Sequence, residues 1–140
     1  MSKPSPRSTL YRLIQAGQLA HLAVLAPLRD RGLEPGDDAV LFELGRNGLT
    51  EDELAAALGV PFESILGRIE RLAGRELVIR RAVGPELVPG VALTERGLRI
   101  RNALAEHWAQ IEEALMGELK PKQRKTMAER LGRFVELLSL

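Results

Sequence analysis

Cysteine is absent from the 140 residues. That removes disulfides, thiolate metal sites and thiol-based redox sensing together. No apolar run approaches the roughly 20 residues that span a bilayer, and residues 1–7 lack the apolar stretch of a signal peptide. A cytoplasmic address and no membrane partner are expected. There is no Gly-rich phosphate loop, no cluster of metal-ligand residues and no nucleophile–base arrangement, so an enzyme is the weakest reading. His21 and His107 are the only histidines. Two isolated imidazoles do not make a metal centre, and no catalytic, cofactor or metal residues are expected.

What is present fits one folded domain. Apolar residues make up 45% and charged residues 28% of the chain, ordinary values for a globular protein of this length. The net charge of +1 hides a division along the chain. Residues 1–33 carry five basic and one acidic side chain, and residues 34–63 carry one basic and eight acidic. Residues 64–101 hold eight arginines against four glutamates, and 102–140 balance six against six. A local positive surplus thus begins near residue 64. Binding to nucleic acid depends on local potential, so a near-neutral total does not exclude it.

Apolar spacing through Leu10, Leu13, Ile14, Leu25 and Leu28 predicts a first helix ending near Arg31-Gly32, with glycine as its cap. Pro35-Gly36-Asp37-Asp38 reads as a turn and an acidic helix start, followed by Val40, Leu41 and Leu44. The segment "GLTEDELAAALGVPFESILGRIERL", residues 48–72, reads as two short helices broken at Gly59-Val60-Pro61. Thr50 and Glu53 form a capping box at its start. In the second helix Ile65, Ile69 and Leu72 face the core, while Glu63, Ser64, Gly67, Arg68 and Arg71 fall opposite. The acidic run from Glu34 to Glu63 is expected to be a solvated face.

Residues 77–81 and 91–93 predict two strands, with Gly84, Pro85, Pro89 and Gly90 in a longish loop between them. Two helices close the chain. The first carries Leu104, Trp108, Ile111 and Leu115, and the second opens at Pro121 and carries Met127, Leu131, Phe134 and Leu138. These stripes are more apolar surface than so small a domain can cover, which points to a partner subunit. His107, Met116 and Met127 are expected to serve packing. The fold class is therefore mainly α with a small β-hairpin: a winged helix–turn–helix lobe plus a helical region formed by N- and C-terminal helices.

The ordered set "LTEDELAAALGV", "RIERLAGRELVIR" and "LTERGLRIRNAL", extended upstream through "LAPLRDRGLEPGDDAVLFELG" and on to the C-terminus, resembles the MarR family of bacterial transcriptional regulators. The resemblance implies a single domain over 1–140. Within it, 34–97 would form the winged helix–turn–helix lobe, and 5–33 with 98–140 the dimerisation region. It further implies a homodimer on double-stranded DNA, repression of nearby genes and, often, release by a small effector. Residues expected at DNA are Ser64, Gly67, Arg68, Arg71 and Arg75, with Arg80 and Arg81 at the base of the wing. Leu10, Leu13, Ile14, Trp108, Ile111, Leu115, Met127, Leu131, Phe134 and Leu138 are expected in the dimer.

The family's wing tip usually carries an Asp-x-Arg element whose arginine enters the minor groove. Here "AVGPELVPGVA" has Glu86 as its one charged residue and no arginine. Glu63 near the second helix start would repel phosphate, and Gly67 gives up a side chain that could read a base. The alternative reading is a winged-helix dimer that binds another protein instead of DNA.

Overall fold

The computed structural model describes residues 8–140, so residues 5–7 of the expected dimerisation segment, and the stretch 1–7 read above for a leader, lie outside the described residues. The elements run α1 (Leu10–Asp30), α2 (Asp37–Leu44), α3 (Glu51–Leu58), α4 (Phe62–Gly74), β1 (Val78–Val83), β2 (Val88–Leu93), α5 (Glu95–Met116) and α6 (Pro121–Leu138). The chain divides into two compact units, Met1–His107 and Trp108–Leu140, with α5 passing from one to the other.

Helix α1 ends where the sequence predicts. Gly32 adopts φ 69°, and the N–H groups of Gly32 and Leu33 return to the carbonyls of Arg29 and Leu28. That pairing is a Schellman close, which needs a residue tolerant of left-handed backbone. Pro27 lies inside the helix and cannot donate to the carbonyl four residues earlier. His107 Nε2 lies 3.2 Å from that carbonyl, on Ala23, and donates to it. The packing role expected of His107 thus has a definite content: it satisfies the acceptor that Pro27 leaves open.

Helices α3 and α4 form the helix–turn–helix. Thr50 Oγ1 accepts from Glu53 N at 3.1 Å, and Glu53 Oε1 accepts from Thr50 N at 3.0 Å. The chain leaves α3 through Gly59 at φ 68° and enters α4 behind Pro61. Leu54, Ile65, Ile69 and Leu72 are buried with Leu28, Val40, Leu41, Leu44, Leu77, Val91 and Leu104 in the core of the first unit.

The hairpin is longer, and its loop shorter, than the sequence suggests. β1 and β2 pair antiparallel from Val78↔Leu93 to Val83↔Val88, which places Pro89 and Gly90 in the second strand. Both have a physical reason to be there. Val91 exchanges backbone hydrogen bonds with Leu49 on the side away from β1. By strand alternation the nitrogen of Pro89 faces the same way, so its missing N–H weakens no bond to β1. At Gly90 a Cβ would collide with Val83 and with the Leu49 carbonyl.

The block "LTERG" joins the hairpin to α5. Thr94 Oγ1 accepts from Gly97 N at 3.0 Å and donates to the Glu76 carbonyl at 2.6 Å. Gly97 is buried against the Leu77 carbonyl, where a Cβ would overlap the backbone. In the second unit Pro121 opens α6 and Arg124 pairs with Glu113 at 2.9 Å. No residue of α6 is buried. Among the described residues no helix is long and apolar enough to cross a membrane.

Candidate nucleic-acid interface

Arginines 68, 71 and 75 are spaced three and four apart, which sets them on one face of α4 and its cap. That face lies against the connection between α1 and α2. Arg71 grips the Asp37 carboxylate with both ends of its fork: Nη1 to Oδ2 at 2.9 Å and Nη2 to Oδ1 at 2.8 Å. Arg68 Nη1 donates to the same carboxylate and, at 3.1 Å, to the Pro35 carbonyl. Arg75 donates to the carbonyls of Arg31 and Gly32, the last groups of the α1 terminus. A cation there also meets the negative end of the α1 dipole.

Asp37 is 0% exposed, whereas the side chains of Arg68 and Arg71 keep 28% and 31%. Burial pushes the Asp37 carboxyl up, but donors from Arg71, the Glu34 N–H and Arg68 outweigh it and hold the group below its ordinary value. The same hydrogen bond to Asp37 raises Arg71, against a smaller opposing effect of burial. Four donors around one carboxylate make the ionised state the bound state.

The expectation of a solvated acidic face from Glu34 to Glu63 is corrected here: Asp37 and Asp38 are buried. Asp37 is buried because α4 brings it two guanidinium groups, and Asp38 Oδ1 accepts from Ala39 N at 3.0 Å at the helix start. The sequence reading did not single out Asp37 as a functional residue. The signal that could have found it is the 68-71-75 arginine spacing set against a carboxylate at the mouth of a helix.

What α4 turns outward is different. Phe62, Glu63, Ser64, Gly67, Glu70 and Gly74 are exposed. A Cβ on Gly67 would meet nothing within 4 Å, so no neighbour in the protein requires glycine there. At the wing, Arg80 pairs with Glu51 at the start of α3, and Arg81 Nη2 donates to the Arg46 carbonyl at 2.8 Å. An open groove of about 640 Å³ runs between the start of α3 and the hairpin, lined by Thr50, Glu51, Phe62, Arg81, Leu87 and Pro89 among others. At the wing tip Leu87 is 72% exposed at φ 54°, next to the exposed Glu86.

The structure therefore divides the seven residues expected at DNA. Ser64 and Gly67 share the outer face of α4, Arg80 and Arg81 sit at the wing's base, and Arg68, Arg71 and Arg75 are engaged with residues 31–37. Of the residues expected in the dimer, Leu10, Leu13, Ile14, Trp108, Leu115, Met127, Leu131, Phe134 and Leu138 are exposed and Ile111 is half-buried. Met127, expected to serve packing, is uncovered in the single chain.

A helix–turn–helix followed by a two-stranded hairpin and bracketed by long helices is a winged helix. Solved structures give it a more particular form. CouR from Rhodococcus jostii RHA1 bound to p-coumaroyl-CoA superposes with a TM-score of 0.78 at 20% identity, over 99% of this chain and 96% of that one. A MarR-family transcriptional regulator from Rhodococcus sp. RHA1 gives 0.73 at 20% identity, over 99% of both chains. MepR from S. aureus, solved as a DNA complex, gives 0.73 at 20% identity, over 94% and 95%. No family model and no curated protein matches the sequence. At these identities the likeness is one of fold: the chain has the winged-helix fold of MarR-family transcriptional regulators.

Proposed function

We propose that the protein is a sequence-specific, double-stranded-DNA-binding transcriptional regulator that acts as a homodimer. The carrying observation is the outer face of α4: a helix held rigidly from behind, exposed at Ser64 and Gly67, and flanked by a hairpin. A mid-helix glycine costs about 0.5–1 kcal/mol relative to alanine. Since no neighbour in the protein requires Gly67, its bareness suits close approach by an outside surface, here the edge of a major groove. Ser64 then supplies a hydroxyl near the helix start, and Arg80 and Arg81 lie where phosphates would pass the wing's base.

Residues 34–97 form the reading lobe in this proposal, and 5–33 with 98–140 the dimerisation region. An amphipathic helix that buries nothing is marginal in water. A second copy covering Met127, Leu131, Phe134 and Leu138 supplies what α6 lacks, and α1 offers Leu10, Leu13 and Ile14 to the same partner. Repression of nearby genes and release by a small effector extend the proposal, supported by neighbours of the same fold solved with DNA and with p-coumaroyl-CoA.

The test is binding of the protein to duplex DNA from upstream of its own gene, compared with Gly67→Ala. Gly67→Ala should raise thermal stability while weakening binding at least several-fold. A variant that is more stable and binds equally well would remove the carrying observation.

A second reading, a winged-helix dimer that binds another protein, is favoured by one observation. The arginines of α4 are bound to the α1–α2 connection, and its exposed charges are Glu63 and Glu70. Absence of any duplex binding by a folded dimer would put this reading first.

A further inference from the structure

The arginines of α4 and its cap are attached to one short segment. Residues 31–37 join the end of α1 to the start of α2, and all three guanidinium groups donate into that segment. Arg75 holds the carbonyl end of α1, Arg71 and Arg68 hold Asp37, and Arg68 also holds the Pro35 carbonyl. Arg71 has a weaker pairing to Glu34 at 3.4 Å. Gly32 and Gly36, both with positive φ, let the segment turn closely beneath these guanidinium groups. The C-terminal end of α1 is therefore joined to the end of α4 by direct hydrogen bonds.

We propose that Asp37 is a positioning residue: by holding Arg71 and Arg68 against the α1–α2 connection it sets the aim of α4, so that these arginines orient the reading helix instead of reading bases. Three features carry this. The carboxylate is sealed from solvent, so it never meets a nucleic acid. Its partners are fork-shaped donors, and a bidentate pair fixes direction as well as distance. The exposed strip of Glu63, Gly67, Glu70 and Gly74 lies to one side of the arginine stripe, on which Ser64 also falls. Helix α1, whose apolar residues Leu10 to Ile14 are uncovered, thereby gains a mechanical route to the reading face.

The inference rests on the DNA-binding reading for its functional consequence, and the experiment separates the two. Full-length wild type, Asp37→Asn, Arg71→Gln and Arg75→Gln are titrated with the upstream duplex and with a scrambled duplex over a range of salt. Amide hydrogen exchange is measured on the same proteins without DNA. Asp37→Asn and Arg71→Gln should each weaken binding to the upstream duplex at least tenfold. Their binding to the scrambled duplex, and the slope of affinity against salt, should stay as in wild type.

A reader behaves otherwise: an arginine on a phosphate or base, once removed, lowers the salt slope by about one or relaxes choice at one base pair. Either signature for Arg71→Gln overturns the proposal, as does wild-type discrimination in Asp37→Asn. Arg75→Gln, which loosens only the α1 end, should give the same pattern more weakly; it decides the matter if Asp37→Asn does not fold. If wild type binds neither duplex, the DNA reading fails by itself. Positioning is then judged from hydrogen exchange: faster exchange in α4 with α3 unchanged upholds it, and unchanged exchange in α4 refutes it.

Discussion

Helices α4 and α6 carry the same apolar spacing. Ile65, Ile69 and Leu72 in one match Met127, Leu131 and Phe134 in the other, at steps of four and three. In α4 all three are buried, and in α6 all three are exposed. Periodicity made both helices amphipathic, but only α4 finds its cover, from α2, α3 and the hairpin, inside the same unit. The polar sides differ as well. Helix α4 anchors arginines on a buried aspartate, whereas the polar residues of α6 make surface pairs such as Arg133 with Glu136 at 2.9 Å, which add little. One helix is finished by its own chain, and in the proposed dimer the other is finished by a second.

The largest effect should come from breaking that distinction at α6. In a symmetric interface a substitution acts in both copies, and burying one leucine is worth about 1.5–3 kcal/mol. Leu131→Asp should therefore cost the dimer on the order of 3–6 kcal/mol, before any penalty for the buried charge. Sedimentation should show the dissociation constant raised at least a hundredfold, or an unfolded chain. If the variant sediments like wild type at the same concentration, α6 is not the interface.

Next comes Asp37. Removing one partner of a buried pair costs about 3–5 kcal/mol when both ions are sealed. Arg68 and Arg71 keep part of their hydration, so roughly 2–3 kcal/mol is expected for Asp37→Ala by denaturant unfolding. The sign with pH follows from the lowered carboxyl. Its stabilising contribution is complete above the ordinary value of 3.8 and is lost as pH falls from there through the lowered one. Asp37→Asn should accordingly flatten the acid limb of the stability curve. A wild-type acid limb in that variant would show that the carboxylate is not held as described.

Smaller effects lie within the lobe. Gly97→Ala places a Cβ on the Leu77 carbonyl, and overpacking of this kind costs about 1–3 kcal/mol. Melting should fall by several degrees, and an unchanged melting temperature would mean that the strand–helix junction is loose. Thr50→Ala removes one half of the capping box and should cost about 1 kcal/mol, with the loss confined to exchange protection in the first turn of α3. Loss spread evenly over the lobe would contradict a local cap.

Much of this was readable from the sequence where the physics is local. Thr50 and Glu53 are three residues apart, Gly59 and Gly32 end their helices by backbone preference alone, and Pro121 fits a first turn. The β-branched runs on either side of Gly84 and Pro85 placed the hairpin after the second helix of the helix–turn–helix, and the fold agrees. What was not legible depends on residues distant in the chain. The partner of Arg71 lies 34 positions earlier, at Asp37, and nothing in the local charge pattern says that one aspartate in an acidic stretch is buried. His107 answers to Pro27 through Ala23, 84 positions away. Pro89 and Gly90 look like loop residues because their strand role depends on Leu49, which pairs on the outer side of β2.

The central claim is a dimer that reads duplex DNA with the outer face of α4. The most direct measurement is analytical ultracentrifugation of the labelled upstream duplex with increasing protein, beside the same duplex scrambled. A complex of two chains per upstream duplex should form at concentrations where the scrambled duplex stays free. One chain per duplex, or equal affinity for both sequences, would contradict it.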